Sequence, residues 1–195
     1  MAYRRLCHMA FSPTLERFAS ASRRNLVKDM DRYQAHGDHG ASYFVKNAAL
    51  NYAMSVPRLR SDVASYLAYS SVKLRYLSWI LLHVVITGKR RLLIFARWPM
   101  LGWIVEIFLL NLALNVSSLC SIHLEEERTR KITRFNDSSS TVEVLVTTYA
   151  TCALGVNLHK SCADLVMLQP AVNANTALQT IGRIHRLGQS RKQNV

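Results

Sequence analysis

Four short apolar runs, separated by stretches of helical pattern, occupy residues 92–195 and leave few folds open. Leu92-Leu93-Ile94-Phe95, Val116 to Ile122, Val142 to Thr147 and Leu165-Val166-Met167-Leu168 have strand length, and their near-continuous apolarity suits strands buried on both faces. After the first run, Pro99 fits the opening turn of a helix through Trp103, Ile104, Ile107, Phe108 and Leu112. After the second, Glu125 to Phe135 reads as a helix. Its three glutamates come first and Arg128, Arg130, Lys131 and Arg134 later, which complements the helix dipole. Glu126–Arg130 and Glu127–Lys131 are i, i+4 pairs on that helix, which reads as a solvated face. Asn136 to Ser140 is a loop by composition, Asn173 can cap a last helix, and Gly188 can end it in a left-handed conformation. The order predicts an α/β fold, a mainly parallel sheet flanked by helices with Leu92–Phe95 buried at its centre.

The stretch from Leu92 to Val116 is long and apolar enough to invite a membrane span. It contains Arg97, Pro99, Glu106 and Asn111, and a charge at Glu106 would cost a few kcal/mol near a bilayer centre. A buried strand followed by a buried helix accounts for it better, and no membrane partner is expected. The formal net charge is +13, with fifteen Lys and Arg against five Asp and Glu in residues 1–91 and ten against seven in 92–195. Such a surface suits duplex DNA through counterion release. An anionic membrane surface or a merely basic domain would carry the same charge. Four scattered cysteines, with no Cys-x-x-Cys pair and no signal peptide, point to a reducing intracellular location. Cys152, His159 and Cys162 are too few and too irregularly spaced for zinc, and no metal ligand is assigned.

The segment Gln179-Thr180-Ile181-Gly182-Arg183-Ile184-His185-Arg186-Leu187-Gly188-Gln189 carries the chemistry. On a continuous helix Gln179, Arg183 and Arg186 fall within one stripe, opposite Ala177, Ile181 and Ile184. Two guanidinium groups side by side repel each other, an arrangement that makes sense if a dense anion such as a terminal phosphate lands between them. A solvated amphipathic helix is the plainer alternative.

The pattern Gln179-x-x-Gly182-Arg183-x-His185-Arg186-x-Gly188-Gln189 resembles the last helicase motif of the Swi/Snf-related DNA translocases, helicase-like ATPases with two RecA-like lobes. The resemblance implies that Gln179 contacts ATP held on the other lobe, and that Arg183 and Arg186 act as fingers on the transferring phosphoryl group. Thr148-Tyr149-Ala150-Thr151-Cys152-Ala153-Leu154-Gly155-Val156-Asn157-Leu158 is similar to the preceding motif, usually Ser-Thr-Arg-Ala-Gly-Gly-Leu-Gly-Ile-Asn-Leu. It implies that Thr148 approaches the DNA backbone, and that Gly155 and Asn157 approach the nucleotide. Leu92 through Trp98 resembles the strand and turn opening the second lobe, with Arg97 on the DNA side. Glu126-Glu127-Arg128 through Arg134-Phe135-Asn136-Asp137 is similar to its helix ending in Arg-Phe-Asn. Ser71-Val72-Lys73-Leu74 resembles the lobe entry, and Arg4-Arg5-Leu6-Cys7-His8 only faintly resembles the exit from the first lobe. The expected division is thus a basic, mostly helical brace over 1–70 and a single RecA-like lobe over 71–195. Such proteins are nuclear and act in chromatin remodelling or DNA repair.

Some positions depart from the family pattern. Ala150, Cys152 and Ala153 replace the basic residue and paired glycines of the motif loop, which weakens its DNA half. The chain stops at Val195, where the family lays down a final strand, so that strand is expected to be cut short and the sheet edge bare. No Gly-x-x-x-x-Gly-Lys-Ser/Thr loop is present: the only Gly-Lys is Gly88-Lys89, with Arg90 after it and His83 at the first glycine's place. No acidic box ends a strand, since Glu125-Glu126-Glu127 opens a helix. The arginines are present without the phosphate cradle and magnesium site they would act on. Hydrolysis of ATP by this polypeptide alone is not expected, and magnesium would come with the first lobe, in cis or in trans.

Two functions remain open from sequence: a motor part that supplies arginine fingers to ATP on a first lobe, as a fragment or completed by another chain, and a non-catalytic basic DNA- or protein-binding module on the same fold. Ser20 to Arg32 and Asn47 to Leu67 have helical character, and Arg4, Arg5, Arg23 and Arg24 are phosphate contacts or ordinary solvated arginines.

Overall fold

The computed structural model describes residues 59–69, 71–119, 123–152 and 157–195. Most of the expected helices before residue 59, and Arg4, Arg5, Arg23 and Arg24, lie outside the described residues. In chain order the elements are α1 (Arg60–Tyr69), α2 (Val72–Leu81), a π-helical segment (Leu82–Thr87), β1 (Arg91–Ala96), α3 (Pro99–Asn111), β2 (Val116–Leu119), α4 (Glu125–Asn136), β3 (Val144–Thr148), the single turn α5 (Tyr149–Cys152), β4 (Cys162–Met167) and α6 (Ala174–Ile181).

The chain divides into two compact units. The described part of the first holds α1, α2 as far as Ser78, and residues Ile107–Ala113. Val63, Ala64, Leu67, Leu74 and Leu77 are buried there, Arg60 Nη2 donates to the Leu110 carbonyl, and Asn111 Nδ2 donates to Ile107 O at 2.8 Å.

The second unit, Trp79–Glu106 with Leu114–Val195, contains the sheet. Its strand order is β2-β3-β1-β4 and every pairing is parallel. Leu93 lies beside Leu145 on one side and Leu165 on the other. Residues Leu92 to Phe95 are between 0% and 1% exposed, which is why this run has no polar face. Leu93, Phe95, Phe135, Leu145, Leu158, Leu165 and Ile184 belong to one buried cluster. Phe95 and Tyr149 stack at 5.5 Å between ring centres, and burial pushes the Tyr149 hydroxyl up to about 12.

Strand and helix positions follow the sequence closely, and β3 starts two residues later than expected, at Val144; three further differences matter more. β4 begins at Cys162, three residues before the apolar run, because Asp164 is buried with its charge answered. Arg90 Nη1 stands 3.1 Å from Asp164 Oδ1, and Asn194 Nδ2 donates to the same oxygen at 2.7 Å. The sheet edge beside β4 is not bare at that point: Asn194 forms a parallel bridge with Asp164, its N–H donating to Ala163 O and its carbonyl accepting from Leu165 N, both at 2.9 Å. The last helix is the third difference. Asn173 caps it as expected, its Oδ1 accepting from Thr176 N at 2.8 Å, but it ends at Ile181 instead of running to Gly188. After Gly182 the bonds tighten to Arg183 N→Thr180 O and Ile184 N→Ile181 O, which swings Ile184 into the core at 0% exposure. Gly188 is left-handed, with φ 91°, in a separate turn.

On α4, Glu127 pairs with Lys131 at 3.0 Å, and that hydrogen bond holds the Glu127 carboxyl below its ordinary range. Glu125 meets Arg128 at 4.0 Å, whereas Glu126–Arg130 is not among the ion pairs of the described residues. At the other end of α4, the Arg91 guanidinium donates to Phe135 O at 2.5 Å and Ser140 O at 2.6 Å, placing a cation at the negative end of the helix. Among the described residues no helix is long and apolar enough to cross a membrane. Glu106 instead accepts from Ser118 Oγ at 2.8 Å.

Cys162 is buried and unbridged, and its thiol donates to Arg91 O and Asp164 O at 3.3 and 3.2 Å. Burial pushes its pKa up to about 12, so little of the thiolate that alkylation requires forms near neutral pH. Iodoacetamide at pH 8 should therefore leave Cys162 unmodified in the native protein and alkylate it in guanidinium, as read by peptide mapping. Native labelling at the denatured rate would show that the thiol is not sealed.

Candidate functional site

The carboxyl ends of β1, β3 and β4 bring together residues widely separated in sequence. Arg97 directly follows β1, and its backbone N–H donates to Gln169 Oε1 at 2.9 Å. Its guanidinium donates to Pro170 O at 3.4 Å and lies 5.6 Å from the Trp98 ring centre. Thr148, the last residue of β3, is buried, with its hydroxyl 2.8 Å from that of Thr151. Tyr149 donates its phenolic hydrogen to Gln169 O at 2.5 Å. Gln169 thus ties the two strand ends together although nothing singled it out beforehand. The available signal was its position just after an apolar strand, where parallel sheets place their binding residues.

A second group forms where the last residues of the motif segment meet the turn that follows α6. Asn157 Oδ1 accepts from Arg186 Nη1, while Arg186 Nε also donates to Gly182 O at 3.0 Å. Leu158 N donates to Arg183 O at 3.3 Å, so adjacent residues 157 and 158 hold both arginine positions. Two flanking residues fasten the segment: Asn136 Nδ2 donates to Asn157 O at 2.8 Å, and Gln189 Nε2 donates to His159 O at 2.9 Å and Cys162 O at 3.0 Å. Both belong to the quoted resemblance but were not counted as site residues. Gly155 lies outside the described residues.

The shared stripe expected of Gln179, Arg183 and Arg186 does not form, because the helix stops before the arginines. Gln179 and Arg186 are exposed, whereas Arg183 is only 8% exposed. The docking face is correspondingly different: Thr180 and Ile184 are buried and Ala177 and Ile181 only half-buried. The Arg183 Nε is buried with no hydrogen-bond partner, and no carboxylate pairs with this guanidinium among the described residues. A buried cation left so is costly unless an anion completes it. Among the described residues no group of three or more His, Cys, Asp or Glu is placed to hold a metal ion.

A parallel α/β sheet with an Arg-x-x-Arg segment beside an Asn-bearing loop is what the resemblance to a helicase-type lobe implies. Residues 73–188 match the helicase conserved C-terminal domain, more than half of the 195 residues, and the chain belongs to that family. The crystal structure of the C-terminal part of the Fun30 ATPase domain resembles it with a TM-score of 0.60 at 21% identity, over 64% of this chain. That likeness establishes the RecA-like fold. The chain spans 39% of the length of that structure's chain. No curated protein matches the sequence.

Proposed function

We propose that this chain is the second lobe of a Swi/Snf-type ATP-dependent DNA translocase, with residues 71–195 forming the lobe and residues 1–70 bracing it. Arg183 and Arg186 reach ATP bound, with its magnesium, to a first lobe in cis or in trans, and Gln179, Gly155 and Asn157 line the nucleotide side. The observation that carries this reading is the buried Arg183, whose Nε has no hydrogen-bond partner among the described residues, beside an Arg186 that Asn157 already orients. In a water-poor cleft such a guanidinium stabilises charge developing on the γ-phosphoryl oxygens. Thr148 and Arg97 mark the DNA side; Arg97 offers the charge, and the Thr148 backbone is its remaining contact because its hydroxyl is occupied. The setting is nuclear, in chromatin remodelling or repair.

A non-catalytic DNA- or protein-binding module is the second reading, favoured by Ala150 standing where the motif loop usually carries a basic side chain. The two are separated by adding a compatible first lobe, since only a motor part gains DNA-stimulated hydrolysis from it. For the chain by itself, weak binding to duplex DNA without sequence preference is expected. The logarithm of affinity should fall with the logarithm of salt by about 0.9 per phosphate contacted. Absent or salt-insensitive binding in a fluorescence anisotropy titration would remove DNA as a partner.

A further inference from the structure

At the opposite end of the sheet from Arg97 and Thr148, a cleft of about 330 Å³ opens beside the amino ends of β1, β3 and β4. Lys89, Arg90, Arg91 and Arg191 line it, and none of its lining residues belongs to the helicase motif group. The four cations are not equivalent. Arg90 is paired with Asp164, and Arg91 is spent on the carbonyls of Phe135, Ser138 and Ser140, so it fixes the wall formed by residues 138–140. Lys89 and Arg191 have no ion-pair partner among the described residues. The one carboxylate in the lining, Glu143, is turned to Asn115, accepting from its backbone N–H at 2.9 Å. Ser138 and Thr141, each with a hydroxyl, also line the cleft.

The turn before β1 constrains where Lys89 stands. An alanine methyl at Gly88 would stand 2.8 Å from the carbonyl oxygens of both His83 and Val84, so glycine is required there by close approach. Lys89 then takes the left-handed conformation, φ 48°, that a glycine adopts more readily. Two lining cations without an ion-pair partner among the described residues raise the potential in the cleft, and a compact multivalent anion lowers it.

We propose that this cleft binds a compact phosphorylated anion of the pyrophosphate class, with Lys89 and Arg191 as its cationic contacts and Ser138 and Thr141 as hydroxyl donors. The volume, worth about ten water molecules, admits such a group but not a duplex. The test is calorimetric titration of the full chain with sodium pyrophosphate at fixed ionic strength, beside a Lys89→Gly/Arg191→Gln double variant. Glycine suits the φ at position 89, so this variant keeps the fold, which its unfolding midpoint verifies. Saturable binding in chloride buffer is expected, at least tenfold weaker in the folded double variant and weakened in the parent when inorganic phosphate replaces chloride at the same ionic strength. No saturable binding, or equal binding by the variant, overturns the proposal. So does displacement of pyrophosphate by a short DNA duplex that the variant no longer binds, because the cleft would then be a contact for the nucleic-acid backbone.

Discussion

Arg186→Ala, in the chain supplied with a compatible first lobe, is expected to lower DNA-stimulated ATP turnover about a thousandfold. The side chain is exposed and its contacts are the Gly182 carbonyl and Asn157, so the unfolding midpoint should barely move. On the proposed reading lysine should rescue poorly, since a point charge lacks the planar fork needed to hold Asn157 and a phosphoryl oxygen together. Arg183→Ala should cost a similar factor, with stability measured in parallel because this guanidinium is buried and its stem packs. A steady-state assay normalised to folded protein decides the matter. If Arg186→Ala hydrolyses ATP at the parental rate in the reconstituted pair, the finger assignment fails.

Phe95→Ala should give the largest loss of stability. Phe95 is 0% exposed on the central strand and stacks on Tyr149, so truncation leaves a cavity between sheet and helices. Aromatic truncations of this kind cost about 3–5 kcal/mol. For a chain of this size that corresponds to a fall in the melting midpoint on the order of 10 °C. Leu187→Ala, at a fully exposed leucine, is the control and should change stability by less than about 0.5 kcal/mol. Calorimetric melting curves of the two variants compare them directly, and equal midpoints would mean that Phe95 is not at the core.

The fold was legible wherever one-dimensional pattern and three-dimensional burial coincide. Leu92–Phe95 is buried on both faces and has no polar residue to blur it, and Glu125–Phe135 announces its polarity through its charges. The start of β4 was hidden because a buried aspartate reads as a break until Arg90 and Asn194 are seen to answer it. The end of α6 was hidden because the periodicity of Gln179, Arg183 and Arg186 survives in the sequence although Gly182 and the tightened turn destroy it in space. For the site, the resemblance supplied Asn157 and Arg186, and their contact came from tertiary structure alone. Gln169 and the cleft cations were unreadable, since Lys89 and Arg191 are brought to one cavity by chain segments at opposite ends of the lobe.

The strand order also has a consequence for biogenesis. β1 is the first strand of the lobe to be made, yet it is flanked by β3 and β4, the last two. Leu92 to Phe95 therefore leaves the ribosome without either neighbour, and its sheet is complete on both sides only after Met167 has emerged. Pairings this distant along the chain are slow to close, and the waiting strand is an apolar segment able to pair with other nascent chains. Synthesis of this lobe should accordingly depend on holdase chaperones, more so at raised temperature, and slowing translation after residue 96 should prolong that dependence.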